Sequence, residues 1–217
     1  MKRVFAVYTT GAIVDSIKAL FESIVPDCRL VNIVDDGLIQ DVIEAGGVTS
    51  RLAARLMRYF EAAAAGGADV IFNTCSSVGD VASRARAFFD VPILKIDEPM
   101  AVEAVRRAES IGVLATLSTT LDPTMRMIRS QAEQAGRSVS VHEGLADGAF
   151  QALVAGDRSE HDRIIEEAAA KLADTVELIV LAQGSMARME GTLRERTGRI
   201  VLSSPESGVR AVRERLA

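Results

Sequence analysis

Residues 69–80 read DVIFNTCSSVGD. The apolar run Val70-Ile71-Phe72 breaks at Asn73-Thr74-Cys75-Ser76-Ser77, and a helical pattern begins at about Val78. A short apolar run that ends in polar residues and feeds a helix reads as a buried strand with a functional exit. In open α/β sheets, ligands sit beyond the carboxyl ends of the strands. A thiol flanked by hydroxyls and an amide therefore stands where a ligand would be met.

The same alternation extends in both directions. Strands are expected at Val4–Tyr8, Arg29–Ile33, Val70–Asn73, Pro92–Ile96, Ile111–Ala115, Ser138–His142, Leu178–Leu181 and Ile200–Leu202. Helical stretches such as Thr49–Ala65, Val78–Phe89, Thr120–Ala135, His161–Ala173 and Glu206–Leu216 lie between them. Gly66-Gly67, Gly136 and Gly198 end several of these. Strands apolar on both faces and spaced by helices imply a parallel α/β sheet.

The pattern recurs at an offset of roughly 107 positions. RVFAVYTT resembles SIGVLATL, LVNIVDDGL resembles SVSVHEGLADG, DVIFNTCSS resembles ELIVLAQGS, and VEAVRR from Val102 resembles VRAVRE from Val209. Four matches in order imply two similar flavodoxin-like α/β halves. The first is expected over residues 1–97, with the last helix, 205–217, packing back on it, and the second over 98–204. If the halves face each other across a pseudo-twofold axis, four polar strand exits converge on one cleft. These are Thr9-Thr10, Asn73–Ser77, Thr116–Thr120 and Gln183–Ser185, with Cys75 and Gln183 on opposite sides.

Composition narrows the function classes. Of the 217 residues 48% are hydrophobic, enough for one sizeable core or two small ones, and the net charge is −5 without a Lys/Arg cluster, which argues against a nucleic-acid surface. No apolar run reaches the length of a membrane span, and MKRVFAVYTT reads as a first strand rather than a leader. Two cysteines make no disulfide framework, so a reduced, cytoplasmic setting is expected. No nucleotide-binding glycine motif occurs.

A thiol just before a helix can be stabilised as thiolate by free N–H groups, and the same donors can hold a substrate carboxylate or a developing enolate. Thr74, Ser76 and Ser77 add hydroxyls. The same position also suits a small buried hydrophobe, and Ser76 or Ser77 a plain helix cap. Cys28, at a strand start without such neighbours, reads as inert.

NTCSSVGD, VPILKIDEP, IGVLATLSTT, IVLAQGSMARM and VLSSPESGV together resemble the aspartate/glutamate/hydantoin racemase superfamily over nearly the whole chain. The resemblance implies two pseudo-symmetric α/β domains with the active site between them, no cofactor, and a homodimer or higher oligomer. It also implies two cysteines that work on opposite faces of a small carboxylate substrate. Asn73-Thr74-Cys75 matches the first cysteine segment, and Thr116 to Thr120 the hydroxyl-rich loop. In the second segment, Leu181-Ala182-Gln183-Gly184-Ser185-Met186, Gln183 takes the cysteine's place, and an amide exchanges no proton near neutral pH. Ser185 replaces a histidine of glutamate racemases, and Thr9-Thr10 replace their Asp-Ser.

Three readings follow. Cys75 is the sole acid/base or nucleophile of a one-sided reaction, such as isomerisation or decarboxylation; or a substitute acid such as Ser185 completes a racemisation; or the protein only binds a carboxylate. Under the enzyme readings Cys75 and Gln183 are catalytic. Thr9, Thr10, Asn73, Thr74, Ser76, Ser77, Thr116, Ser118, Thr119, Ser185 and Met186 bind substrate. His142 is expected at a strand end and His161 as a solvated helix-start residue. Asp35, Asp36 and Asp41 are expected to form a turn, and no spacing suggests a metal site. Met125, Met127 and Met189 fill core or walls.

Overall fold

The computed structural model describes all residues, Met1 to Ala217, as two compact units: Met1–Glu98 with Pro205–Ala217, and Pro99–Ser204. Each unit holds one four-stranded, all-parallel sheet. The first contains β1 (Lys2–Tyr8), β2 (Cys28–Val34), β3 (Val70–Asn73) and β4 (Ile93–Lys95) in the order β2-β1-β3-β4. The second contains β5 (Ser110–Ala115), β6 (Ser140–Leu145), β7 (Leu178–Leu181) and β8 (Ile200–Ser203) in the order β6-β5-β7-β8. The identical order is the structural counterpart of the sequence repeat.

Side-chain alternation along the strands splits each unit into two apolar layers. In the first unit Phe5, Val7, Ile71 and Ile93 face α2 (Leu38–Glu44), α3 (Ser50–Ala65) and α4 (Gly79–Ala85). Val4, Ala6, Tyr8, Val70 and Phe72 face α1 (Val14–Ile24) and α10 (Ser204–Leu216). The helices form because their apolar residues recur at the matching period. In α3 the buried positions are Leu52, Leu56, Phe60 and Ala63, and the Thr49 side chain caps the start by accepting from Leu52 N at 3.3 Å.

In the second unit Ile111, Val113, Ala115, Leu178 and Val180 pack against α5 (Glu98–Arg107) and α6 (Ser118–Gln134). Leu114, Ile179, Leu181 and Val201 pack against α7 (Ala149–Val154), α8 (Arg158–Ala173) and α9 (Glu190–Thr197). The match between VEAVRR and VRAVRE now has a reason: α5 and α10 take equivalent places, one in each unit. Val209 and Val212 of α10 are fully buried in the first core. A Cβ on Gly208 would lie 2.7 Å from the Ile96 carbonyl oxygen, so this helix approaches the exit of β4 at backbone distance.

Two elements differ most from the sequence reading, and several others shift at their ends. β6 starts at Ser140 rather than Ser138, because its register is set by pairing with β5, Ser110 opposite Ser140, and by the bond from Ser140 N to Glu109 O at 2.7 Å. Ser138 and Val139 are spent on the connection after α6. The helix expected over Val78–Phe89 is a 3-10 turn, Ser76–Val78, followed by α4, which ends at Ala85. No helix is long and apolar enough to cross a membrane.

Candidate functional site

In a sheet ordered β2-β1-β3-β4, the chain leaves β1 toward one side and returns on the other, so the topological switch point lies between β1 and β3. That is where such sheets open a crevice at their carboxyl ends. The first unit places Thr9 and Thr10 at the β1 exit and Asn73 to Ser77 at the β3 exit. The order repeats in the second unit, with Thr116 at the exit of β5 and Gln183 at that of β7. Both polar exits chosen from the sequence in each unit therefore flank its switch point.

The first rim is built around the Cys75 sulfur. Cys75 is half-buried and occupies the cap position of the 3-10 turn with extended backbone angles. Burial pushes its thiol up. The Thr9 hydroxyl, the N–H groups of Ser77 and Val78, and the Ser77 hydroxyl pull it back down, and burial prevails. Thr9 Oγ1 is buried beside the thiol and has no other hydrogen-bond partner. Asn73 Nδ2 donates to the Cys75 carbonyl at 2.9 Å, which fixes the amide and leaves Asn73 Oδ1 buried without a donor. The Tyr8 hydroxyl is also buried without a partner, and burial drives its phenol far above the usual range.

Other residues of this rim are structurally engaged. The Thr74 hydroxyl donates to the Val7 carbonyl at 2.9 Å and joins β3 to β1. Thr10 caps its own 3-10 turn by accepting from Ala12 N at 3.3 Å. Asp97, just past β4, is buried to 2% exposure; burial pushes its carboxyl up, and Lys95 and the nearby Ser76 hydroxyl offset part of that. Asp97 was missed in the sequence because LKIDEP reads as the end of a strand. The signal was the charged pair Lys95 and Asp97 at alternate positions, flanking an apolar residue.

The second rim is organised by Gln183. Its Oε1 accepts from Thr116 N at 2.8 Å, and its Nε2 donates to Thr116 Oγ1 at 2.6 Å. The side chain thus bridges the exits of two neighbouring strands with both halves of its amide. Thr116 Oγ1, having accepted, keeps its own proton to donate. Ser118 opens α6 and is exposed, and Thr119 Oγ1 is buried without a partner. Ser185 is half-buried in the 3-10 segment Gly184–Met189.

Several expectations are corrected. Met186 was expected against substrate; it is fully buried in the core with Leu181, Met189 and Leu193, where an apolar thioether is most stable. His161 was expected in solvent and is 1% exposed. Its Nδ1 lies 2.7 Å from Asp162 Oδ1, and Arg188 of the Gly184–Met189 segment grips the same carboxylate, with Nη1 2.7 Å from Oδ2. The imidazole is buried because this ion pair ties the start of α8 to that segment. His142 lies within β6 rather than at its end. It lines an open groove of about 930 Å³ beside α8 that also includes Glu143, Arg163 and Lys171 and reaches Ala146 and Asp147 just past β6.

Asp35 and Asp41 are joined by Arg55, at 2.6 and 2.5 Å, and the Tyr59 hydroxyl donates to Asp35 at 2.5 Å. No group of three or more His, Cys, Asp or Glu side chains is placed to hold a metal ion. Both cysteines are free thiols, and burial and Asp27 push Cys28 up.

A family model described as Asp/Glu/Hydantoin racemase matches residues 4–212. No curated protein matches the chain in sequence. Among solved structures, a glutamate racemase from Bacillus anthracis aligns with a TM-score of 0.82 at 12% identity, over 99% of this chain and 81% of its own. An aspartate racemase from Picrophilus torridus aligns at 0.73 with 15% identity, over 99% and 94%. An allantoin racemase from Klebsiella pneumoniae aligns at 0.69 with 18% identity, over 100% and 88%. At these identities the likeness is one of fold.

Proposed function

The chain belongs to the Asp/Glu/Hydantoin racemase family and is a racemase-type enzyme, and within that family we propose that it acts as an isomerase, without a cofactor, at the carbon next to a carboxylate of a small acid through a single thiol, Cys75. The carrying observation is the environment of the sulfur. It stands at the switch point of the first sheet, where the Thr9 and Ser77 hydroxyls and the Ser77 and Val78 N–H groups are near enough to lower its thiol against the effect of burial. As a thiolate, Cys75 removes the α-proton. Thr9 donates to a carboxylate or enolate oxygen, and Asn73 Oδ1 accepts from a donor on the substrate. In the second unit, Gln183 orients Thr116. The reading calls for a small carboxylate, further copies of the chain as an oligomer, and a reducing, cytoplasmic setting, which the two free thiols support.

A decarboxylase or lyase reading is favoured by one observation. The Gln183 amide is bonded twice to Thr116 and has no titrating proton to offer, so chemistry that needs one thiol suits this chain better than a symmetric exchange between two.

Incubation in deuterated water with amino acids, hydantoins, hydroxy acids and malonates, followed by proton NMR, tests both. Exchange or inversion at the α-carbon that disappears in Cys75→Ala supports the isomerase, and release of carbon dioxide supports the decarboxylase. Turnover that survives Cys75→Ala refutes the role given to the thiol.

A further inference from the structure

The acidic turn after β2 is joined to the first rim by hydrogen bonds that the chemistry above does not use. Arg55 of α3 grips two carboxylates at once: Nη2 lies 2.6 Å from Asp35 Oδ1, and Nη1 lies 2.5 Å from Asp41 Oδ2. Tyr59, one turn further along α3, accepts from Arg55 Nε at 3.2 Å and donates to Asp35 Oδ2 at 2.5 Å. Asp35 and Asp41 stand on either side of Ile39 in the chain, and Ile39 N donates to the Thr9 carbonyl at 3.3 Å. Asp35 N donates to the Tyr8 carbonyl at 3.0 Å. The clamp thus fastens the start of α2 to the exit of β1.

α2 has only seven residues, too few to keep a place by helix propensity, and Gly46-Gly47 follow it with φ of 67° and 153°. Leu38 and Val42 bury its apolar side in the first core. Apolar burial has no direction, so it sets the depth of the helix but not its angle. The direction comes from the charge-assisted bonds to Arg55. The Asp35 side chain is 10% exposed and that of Arg55 35%, so solvent screens this pair less than an ordinary surface pair.

The register of β1 and β3 carries the clamp to the sulfur. Val4 to Val7 stand opposite Val70 to Asn73, and the same spacing puts Thr9 opposite Cys75 as the strands end. Thr74 N and its hydroxyl both donate to the Val7 carbonyl, at 3.1 and 2.9 Å, and keep the strands abreast to that point. Thr9 is 1% exposed, and its Oγ1 has no other hydrogen-bond partner there, so its place follows from its backbone. We infer that Arg55 is a positioning residue for Thr9: by gripping Asp35 and Asp41 it holds the start of α2 on the Thr9 carbonyl, and so sets where the Thr9 hydroxyl stands beside Cys75. This rests on the reading of Thr9 as a donor to the substrate carboxylate. A lysine at position 55 keeps the charge and loses the planar fork that spans two carboxylates.

The test is alkylation of the intact protein by iodoacetate and, separately, by iodoacetamide at about pH 8, near the ordinary thiol value. Mass spectrometry follows the Cys75 peptide, with the Cys28 peptide as internal reference. In both reagents the sulfur displaces iodide from a methylene carbon, but in iodoacetate that carbon adjoins a carboxylate. The ratio of the two rates cancels changes in the acidity and access of the thiol, and reports how well the rim holds the carboxylate. Thr9→Val is expected to lower the ratio about tenfold, the effect of one hydrogen bond to a charged group. Arg55→Lys should lower it about fivefold, and Asp41→Ala, which leaves Arg55 a single carboxylate, about threefold. The double variant Arg55→Lys with Thr9→Val should match Thr9→Val alone, because both changes act through one hydroxyl. A merely structural role lowers thermal stability and leaves the ratio in place. A parental ratio in Arg55→Lys, or a further drop in the double variant, overturns the inference alone. If Arg55→Lys does not fold, Asp41→Ala, whose side chain is 45% exposed, decides the matter by the same criteria. A parental ratio in Thr9→Val defeats the underlying reading of Thr9 and the inference with it.

Discussion

Replacing Gln183 by leucine tests the bridge across the second rim. The side chains are similar in size, so the change removes two hydrogen bonds, at 2.8 and 2.6 Å, with little change of volume. Each bond is worth about 0.5–1.5 kcal/mol net, and Thr116 is 6% exposed, so its N–H loses its acceptor where water does not easily replace it. The expected loss is about 2–3 kcal/mol, which in a unit of roughly 100 residues lowers the melting temperature by about 10 °C or more. Gln183→Glu keeps an acceptor for Thr116 N and another for the Thr116 hydroxyl, and should recover most of the loss at neutral pH. Thr116→Val removes only the second bond and should cost about 1 kcal/mol. In the double variant the two losses should fall short of additivity by a similar amount. Urea unfolding at constant slope measures all four variants. A Gln183→Leu protein within about 0.5 kcal/mol of the parent, the range of an ordinary surface substitution, refutes the bridge as a stabilising element.

Gly208→Ala should destabilise the first unit by about 1–2 kcal/mol: the helix gains up to about 1 kcal/mol in propensity, but overpacking costs about 1–3 kcal/mol. The added methyl would meet Ile96 backbone atoms at 2.7 and 3.0 Å, and backbone cannot step aside as a side chain does. Urea unfolding that shows a gain in stability would contradict it. For pH, burial raises the Cys75 thiol above its ordinary value of about 8.5, so the thiolate is a minor form at neutrality and grows as pH rises. Steady-state kcat/KM should therefore climb close to tenfold per pH unit from about pH 6.5 to 8, and a plateau below about pH 8 would be the opposite of what this shift demands.

Much of the fold was legible because it depends on local periodicity. Val70 to Asn73 is apolar and β-branched enough to be a strand buried on both faces, and the repeat at roughly 107 positions forecast two sheets of the same order. Cys75 could be placed at a strand exit because the change from apolar to polar residues marks where the strand leaves the core. What the surrounding hydroxyls do was not legible. Thr74 and Thr9 look alike in sequence, yet one donates to Val7 across the sheet and the other lies beside the Cys75 thiol with no other partner. Strand register and the direction of each side chain decide this, and neither is local. Asp97 and His161 show the same limit from the other side: both are polar residues that composition assigns to solvent, and both are buried, His161 beside Arg188, a residue distant in sequence. The sequence by itself determined the layers, the strand exits and the single thiol at the first switch point. Only tertiary structure decided which polar groups stay uncommitted there, because hydrogen-bond pairing between segments far apart in the chain is settled when the sheets close.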